Sequence, residues 1–194
     1  MKKIFLSLAM IAFVSAGAFA QGVSGGLKAG VNLANWSGDD VEDSEMKISF
    51  HGGGFLNIAF SDALSVQPEL LFNSVGTKFT EGDYSETYKL SYISIPVMLM
   101  YSFGNFNIQA GPQFSILAGA KVKYEEGGDS LEEDIKDSLK GSDIGVNVGL
   151  GASFGKVNAT ARYCLGLSNI VDDDDADIKN GVIQLSLGVK LFGN

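Results

Sequence analysis

Eight stretches of the chain alternate between hydrophobic and polar residues with a period of two. Because successive side chains of a β-strand point to opposite faces, each stretch predicts a strand with one apolar face. The last stretch is the clearest, with Ile183, Leu185, Leu187, Val189 and Leu191 on one face and Gln184, Ser186, Gly188 and Lys190 on the other. The predicted strands cover residues 27–33, 48–60, 64–73, 92–101, 106–116, 144–154, 157–168 and 183–191.

The connections between these strands alternate in length. Short turns are expected at 61–62, 104–105 and 155–156, and long polar loops at about 35–47, 76–88, 120–142 and 169–180. Short turns at one end and long loops at the other are typical of transmembrane barrels, whose turns face the periplasm. The fold class predicted is therefore all-β, an eight-stranded antiparallel up-and-down transmembrane β-barrel.

One of the long loops carries a helical pattern. Leu131, Ile135 and Leu139 share one helical face, and Ser130 with Glu133 forms a capping-box pattern. A short helix is therefore expected at about 130–139.

The first twenty residues read as a leader and not as part of the fold. Lys2 and Lys3 precede an apolar run from Ile4 to Val14, and Ala18-Phe19-Ala20 supplies a small-x-small cleavage site. These are the three parts of a secretory signal peptide. We expect a signal peptide at 1–20 and an outer-membrane β-barrel domain at 21–194.

Acidic residues are concentrated at one end of the predicted barrel. The chain carries 23 Asp and Glu and a net charge of −9, and only Asp62 and Glu69 lie outside the long loops and their edges. Acids on a lipid-facing surface cost free energy, so their exclusion from the strands fits a bilayer. An acidic chain also argues against a nucleic-acid partner, because nucleic-acid binding needs a basic face.

Aromatic residues are expected at both rims of the apolar band. Five phenylalanines flank the short turns, namely Phe60, Phe103, Phe106, Phe154 and Phe192. Four further aromatics lie toward the long loops, namely Trp36, Tyr84, Tyr88 and Tyr92. Two such sets predict the interfacial girdles of a membrane barrel.

Alternation alone does not say which face of the barrel is inside. A soluble lipocalin-like barrel, binding a ligand in the periplasm or outside the cell, would turn its apolar face inward. Here the polar face is rich in Gly, Ser, Asn and Gln with few charges, unlike the charged surface of a soluble domain. The apolar face is also continuous on nearly every strand. Both features favour lipid outside and small polar residues inside.

Short motifs resemble a known family. Gln67-Pro68-Glu69-Leu70 resembles the "QPEL" strand of the PorT-like, porin-family outer-membrane β-barrels of Bacteroidetes-type bacteria. The stretches 92–101 and 111–113 resemble the two strands that follow, and 30–32 and 188–192 fit the opening and closing strands. The resemblance covers the whole mature chain and implies an outer-membrane barrel, with a role in an export system among the functions expected. Ser94 and Met100 stand where the family often has an acid and a lysine.

Four charged residues fall on the predicted polar face: Lys28, Glu69, Arg162 and Lys190. Glu69 and Arg162 lie about midway along their strands, and a lone charge in a dry lumen would cost several kcal/mol. We therefore expect Glu69 to pair inside the barrel with Arg162 or Lys28. The interior of an eight-stranded barrel is just wide enough for side chains, so these charges predict a plug that fixes the barrel, with a gate as the alternative.

The sequence carries little that predicts catalysis or metal binding. It has no nucleophile elbow, Walker loop, dinucleotide fingerprint or metal-ligand spacing, and its only histidine and cysteine are His51 and Cys164. We expect His51 to pack and Cys164 to fill the small-residue face. The run Asp172 to Asp175 could suit Ca²⁺ or Mg²⁺ but lacks the spaced calcium-loop pattern, which favours a solvated loop. No catalytic residue, cofactor or metal is expected.

The function expected is structural or interaction-based, in envelope integrity, adhesion or export, without a wide diffusion pore. The expected partners are the outer-membrane bilayer, the barrel-assembly machinery, and an extracellular protein or surface bound through the acidic loops. The expected location is the outer membrane.

Overall fold

The structure, a computed structural model, describes residues 22–38, 44–172 and 177–193. The leader expected at 1–20 and residues 173–175 of the aspartate run lie outside these ranges. Ten strands are present: β1 Val23–Ser37, β2 Glu45–Ala59, β3 Leu64–Val75, β4 Thr77–Glu81, β5 Tyr84–Phe103, β6 Phe106–Glu126, β7 Asp129–Asp134, β8 Ser142–Phe154, β9 Val157–Gly166 and β10 Lys179–Phe192.

Eight of these strands close into a ring. The order around it is β1, β2, β3, β5, β6, β8, β9 and β10, and β10 pairs with β1 to complete the circle. Every neighbouring pair is antiparallel. Strand closure leaves the ring without an edge, which is the condition for spanning a bilayer with strands. The predicted eight-stranded up-and-down barrel is confirmed.

The short turns form where the sequence predicts them. Two-residue connections join β5 to β6 and β8 to β9, each beginning with a glycine, Gly104 or Gly155, whose positive φ suits a tight reversal. The start of β1 and the end of β10 pair with each other, so they lie at this same end of the barrel.

Two expected loops are instead regular sheet. β5 and β6 continue far beyond the apolar band, β4 pairs with β5 across residues 78–87, and β7 pairs with the end of β6. The helix expected at 130–139 is wrong: residues 129–134 form β7, and only a 3-10 turn, Lys136–Ser138, follows. Gly127 and Gly128 both have positive φ and close a two-residue hairpin turn, which sets the strand register. That register brings Lys121 of β6 within 3.4 Å of Glu132 of β7, so cross-strand charge pairing favours the strand.

The apolar faces of the strands point away from the barrel interior. Leu187 is 64% exposed, whereas the inward-facing Asn32 is fully buried at 0%. On β5 and β6 the outward apolar residues extend over 93–103 and 106–116. About ten steps of ~3.3 Å, tilted by about 40°, give a band about 25 Å tall, which matches the hydrocarbon layer. This orientation is the reverse of a lipocalin-like barrel.

The aromatic residues at the two rims behave differently. The five phenylalanines beside the short turns are between 51% and 62% exposed, as a girdle requires. The expected girdle at the other end is wrong, because Trp36 and Tyr92 are buried within an apolar cluster. In this cluster the Trp36 ring lies 4.6 Å from that of Tyr88, and Leu90, Leu117 and Ile170 pack beside them. The cluster lies at the end of the barrel opposite the short turns.

Candidate functional site in the barrel interior

A carboxylate held by two cations lies in the middle of the barrel interior. Lys28 Nζ on β1 is 3.2 Å from both carboxylate oxygens of Glu69 on β3. From β9, Arg162 donates from Nη1 to Oε2 at 2.8 Å and from Nη2 to Oε1 at 2.6 Å. All three side chains are excluded from solvent. The structure thus brings together three of the four interior charges that the sequence indicates.

Two glutamines complete this cluster. Gln67 donates from Nε2 to Glu69 Oε1 at 2.7 Å, and Arg162 Nε donates to Gln109 Oε1 at 2.8 Å. Buried charged groups cost free energy unless their hydrogen bonds are made. The glutamines make those bonds and hold the guanidinium in its two-pronged contact with the carboxylate. The strand alternation places both on the inner face, but it does not show that they contact the charges.

Lys190 lies outside this cluster, contrary to the grouping expected. It is half-buried near the end of β10, opposite Gly26 in the ladder, and forms no ion pair with any residue that the structure describes. The buried cluster consequently contains two cations and one anion. Its formal charge is therefore +1. Glu69 is the one anion of the cluster, and it neutralises part of the charge of both Lys28 and Arg162.

A second polar network surrounds His51. The ring accepts from Ser186 Oγ at Nε2, 2.8 Å away, and donates from Nδ1 to Asn32 Oδ1 at 2.7 Å. This assignment follows from Asn32 Nδ2, which donates to the carbonyl oxygen of Ser74 at 2.9 Å and so leaves Oδ1 as an acceptor. His51 is fully buried, so it packs inside the barrel, where Asn32 and Ser186 engage both of its ring nitrogens.

Above these networks lies a small polar cavity. It has a volume of about 30 Å³ and is lined by residues that include Tyr92, Asn147 and Cys164. That volume accommodates one or two water molecules. Asn147 donates from Nδ2 to Gln113 Oε1 at 3.1 Å, and its Oδ1 has no partner among the described residues, so a water there would satisfy it. Cys164 is buried.

The interior therefore does not form an open channel through the part of the chain that the structure describes. The Glu69 cluster fills the middle and the apolar cluster around Trp36 fills the extracellular end. Within the described ranges no three His, Cys, Asp or Glu residues are grouped to hold a metal ion. No helix of the described part is long and apolar enough to cross a membrane.

Comparison with known proteins agrees with this geometry. The sequence model of the outer membrane protein beta-barrel domain matches residues 19–172. The chain belongs to this family. It is accordingly an outer-membrane protein, and its exposed apolar band lies in the lipid bilayer.

Solved structures share the fold. Neisserial surface protein A superposes with a TM-score of 0.55 at 14% identity, covering 88% of this chain and 99% of that one. The attachment invasion locus protein Ail of Yersinia pestis gives a TM-score of 0.52 at 15% identity, with the same coverage. At such identities the likeness concerns the fold alone. No curated protein matches the sequence.

Proposed function

We propose that this barrel is a non-enzymatic structural and interaction protein, which displays its extracellular sheet and acidic loops to a partner. The observation that carries the proposal is the closed interior. Charged side chains join opposite walls in the middle of the barrel, and an apolar cluster occupies its extracellular end. Such an interior stabilises a scaffold and offers no path for solutes.

The extracellular surface supports an interaction role. Beyond the apolar band the sheet continues through β4, β5, β6 and β7. This end of the barrel therefore presents a hydrogen-bonded sheet in addition to loops. Among the residues that the structure describes, it carries every Asp and Glu except Asp62, Glu69 and the buried Asp143. Ail was crystallised with the heparin analogue sucrose octasulfate, a polyanion. The acidic surface here favours the opposite choice, a partner with a basic surface.

The remaining partners and the finer family assignment are part of the proposal. Insertion by the barrel-assembly machinery is supported by the closed ring of strands, which must be assembled in the membrane. A PorT-like role in export is supported by the "QPEL" strand, whose Glu69 is the centre of the buried charge cluster. Ser94, one of the departures from that family's pattern, faces inward and bonds Ser115 Oγ at 2.9 Å, a neutral contact where relatives often place an acid.

Conductance and binding of one reconstituted sample test the proposal. In planar bilayers we expect no stepwise single-channel currents, and steady open-pore currents would contradict a closed scaffold. In nanodiscs we expect the extracellular face to bind immobilised polylysine and not immobilised heparin. Neutralising Asp129 and Glu133 as D129N and E133Q should weaken polylysine binding, whereas D62N at the opposite end is the matched control. Equal polylysine binding by the wild type, by the variant that combines D129N with E133Q, and by D62N would contradict an acidic interaction surface.

A further inference from the structure

A groove on the outer wall of the barrel lies at the extracellular border of the apolar band. Its volume is about 410 Å³. The exposed rings of Phe50 and Phe72, 5.8 Å apart, form its apolar part, and Lys47, Lys89 and Lys121 line its upper part. Lipid chains and lipid headgroups meet at this level of a membrane barrel.

The groove forms where the ladder between β2 and β3 is interrupted. Pairing stops at His51 with Asn73 and resumes at Met46 with Thr77, which belongs to β4. Side chains satisfy the carbonyl groups left between them. Ser49 Oγ donates to the Ser74 oxygen at 2.6 Å, and Lys47 Nζ donates to the Val75 oxygen at 3.1 Å. The interruption thus brings a lysine from β2 to the groove.

The lysines of the groove are only partly neutralised. Glu132 on β7 accepts from Lys89 at 2.6 Å and from Lys121 at 3.4 Å, and Asp134 also lines the groove. Lys47 forms no ion pair with a residue in the described ranges. Three cations therefore face two carboxylates, on an end of the molecule that is otherwise strongly acidic. Glu132 is itself solvent-exposed and held only by these surface pairs.

We propose that this groove binds an anionic lipid of the outer leaflet, with the phosphate headgroup at Lys47, Lys89 and Lys121 and an acyl chain across Phe50 and Phe72. Charge complementarity and the position at the edge of the apolar band support this occupant. Glu132 acts as the competitor of the headgroup, because it occupies the same two ammonium groups that a phosphate would contact. This site is independent of any extracellular protein partner.

Native mass spectrometry of the detergent-purified barrel tests the proposal, with phosphatidylglycerol as the anionic probe and phosphatidylcholine as the zwitterionic one. We expect selective retention of phosphatidylglycerol. Lys47→Gln should weaken that retention about fivefold, the factor that about 1 kcal/mol per lysine corresponds to. Lys156→Gln, at the short-turn end, is the matched control and should leave it unchanged.

Glu132→Gln gives the sharper outcome, because lipid binding should then increase. A merely structural ion pair predicts no gain. Unchanged or weaker phosphatidylglycerol retention in Glu132→Gln, or full retention in Lys47→Gln, would overturn the proposal. Displacement of the lipid by millimolar inorganic phosphate would also overturn it, since it would show a free-anion site and not a lipid site. Heat-modifiable gel migration reports whether each variant is folded.

Discussion

Arg162 and Glu69 join opposite walls of the barrel. Their strands, β9 and β3, are not neighbours in the ring, yet the guanidinium makes two hydrogen bonds of 2.8 and 2.6 Å to the carboxylate. A contact of this kind ties together strands that share no backbone ladder. It also depends on charge balance, because Lys28 adds a second cation to the same carboxylate.

The charge balance predicts an order of stability among variants. Glu69→Gln leaves two buried cations without an anion and should cost about 3–5 kcal/mol of unfolding free energy. Arg162→Met leaves the neutral Lys28–Glu69 pair and should cost less. Denaturant unfolding in detergent micelles measures both. Lys190→Gln, outside the cluster, should change stability by less than about 0.5 kcal/mol.

The same cluster can be tested by restoring balance. Adding Lys28→Met to Glu69→Gln removes one of the two unpaired cations, so the double variant should be more stable than Glu69→Gln alone. Additive destabilisation by the two substitutions would show that the three side chains do not act as one charged unit.

Trp36 is expected to stabilise the extracellular end locally. It is buried against Tyr88 and Phe79, so Trp36→Ala removes a large apolar side chain from the cluster. Amide hydrogen exchange should accelerate at the C-terminal end of β1 and at the N-terminal end of β2, which lie near Trp36. It should stay unchanged near the turn between β8 and β9. Phe154→Ala, on the lipid-facing surface, is the control and should not accelerate exchange at the extracellular end.

Cys164 should be unreactive in the folded barrel. It is buried on the inner face of β9, where a maleimide has no access. We expect no labelling in detergent and complete labelling after denaturation. Asp62→Cys in a Cys164→Ser background places a thiol on the exposed short turn and should label at once. Rapid labelling of Cys164 in folded protein would show that the interior is open to reagents.

Acid should loosen the hairpin of β6 and β7. Hydrogen bonds from Lys89 and Lys121 hold the pKa of Glu132 below its ordinary value of 4.5. The ionised form is therefore favoured by folding, and its contribution is present above about 4.5 and lost as the pH falls through the lowered pKa. In NMR spectra, the amide signals of β7 should broaden as the pH falls through this lowered pKa. Glu132→Gln should show no such pH step.

Strand periodicity was sufficient to predict the strands of the ring, because in a barrel each side chain faces either lipid or the interior. The orientation followed from the small, weakly charged residues of the polar face and from the continuity of the apolar face. Periodicity also indicated that Glu69 is paired, since an isolated buried charge is costly. The three prolines argue against strands by propensity, yet Pro68, Pro96 and Pro112 all lie within β3, β5 and β6. Alternation predicted strands there, and the family resemblance together with the possibility of local bulges supported that prediction against the prolines.

The errors lie beyond the membrane, where both faces of a strand can meet water or protein. A helical pattern at 130–139 competed with the Gly127-Gly128 turn, and the turn determined the structure. At Ser91 and Tyr92 the ladder with β6 shifts register, and Trp36 packs inward near it, so a rim aromatic became part of a core. Lys190 alternates with the inward-facing residues of β10. Alternation does not specify where along the barrel axis a residue lies, and Lys190 lies near the end of its strand.

The orientation of the strands is the central claim, and tryptophan quenching by brominated lipids tests it directly. The chain has a single tryptophan, so a Trp36→Phe background is free of others. In that background Leu187→Trp should be strongly quenched in brominated bilayers, whereas Met98→Trp, replacing a buried inner residue, should not. An unquenched Leu187→Trp in a folded barrel, or quenching of Met98→Trp alone, would contradict an apolar surface in contact with lipid.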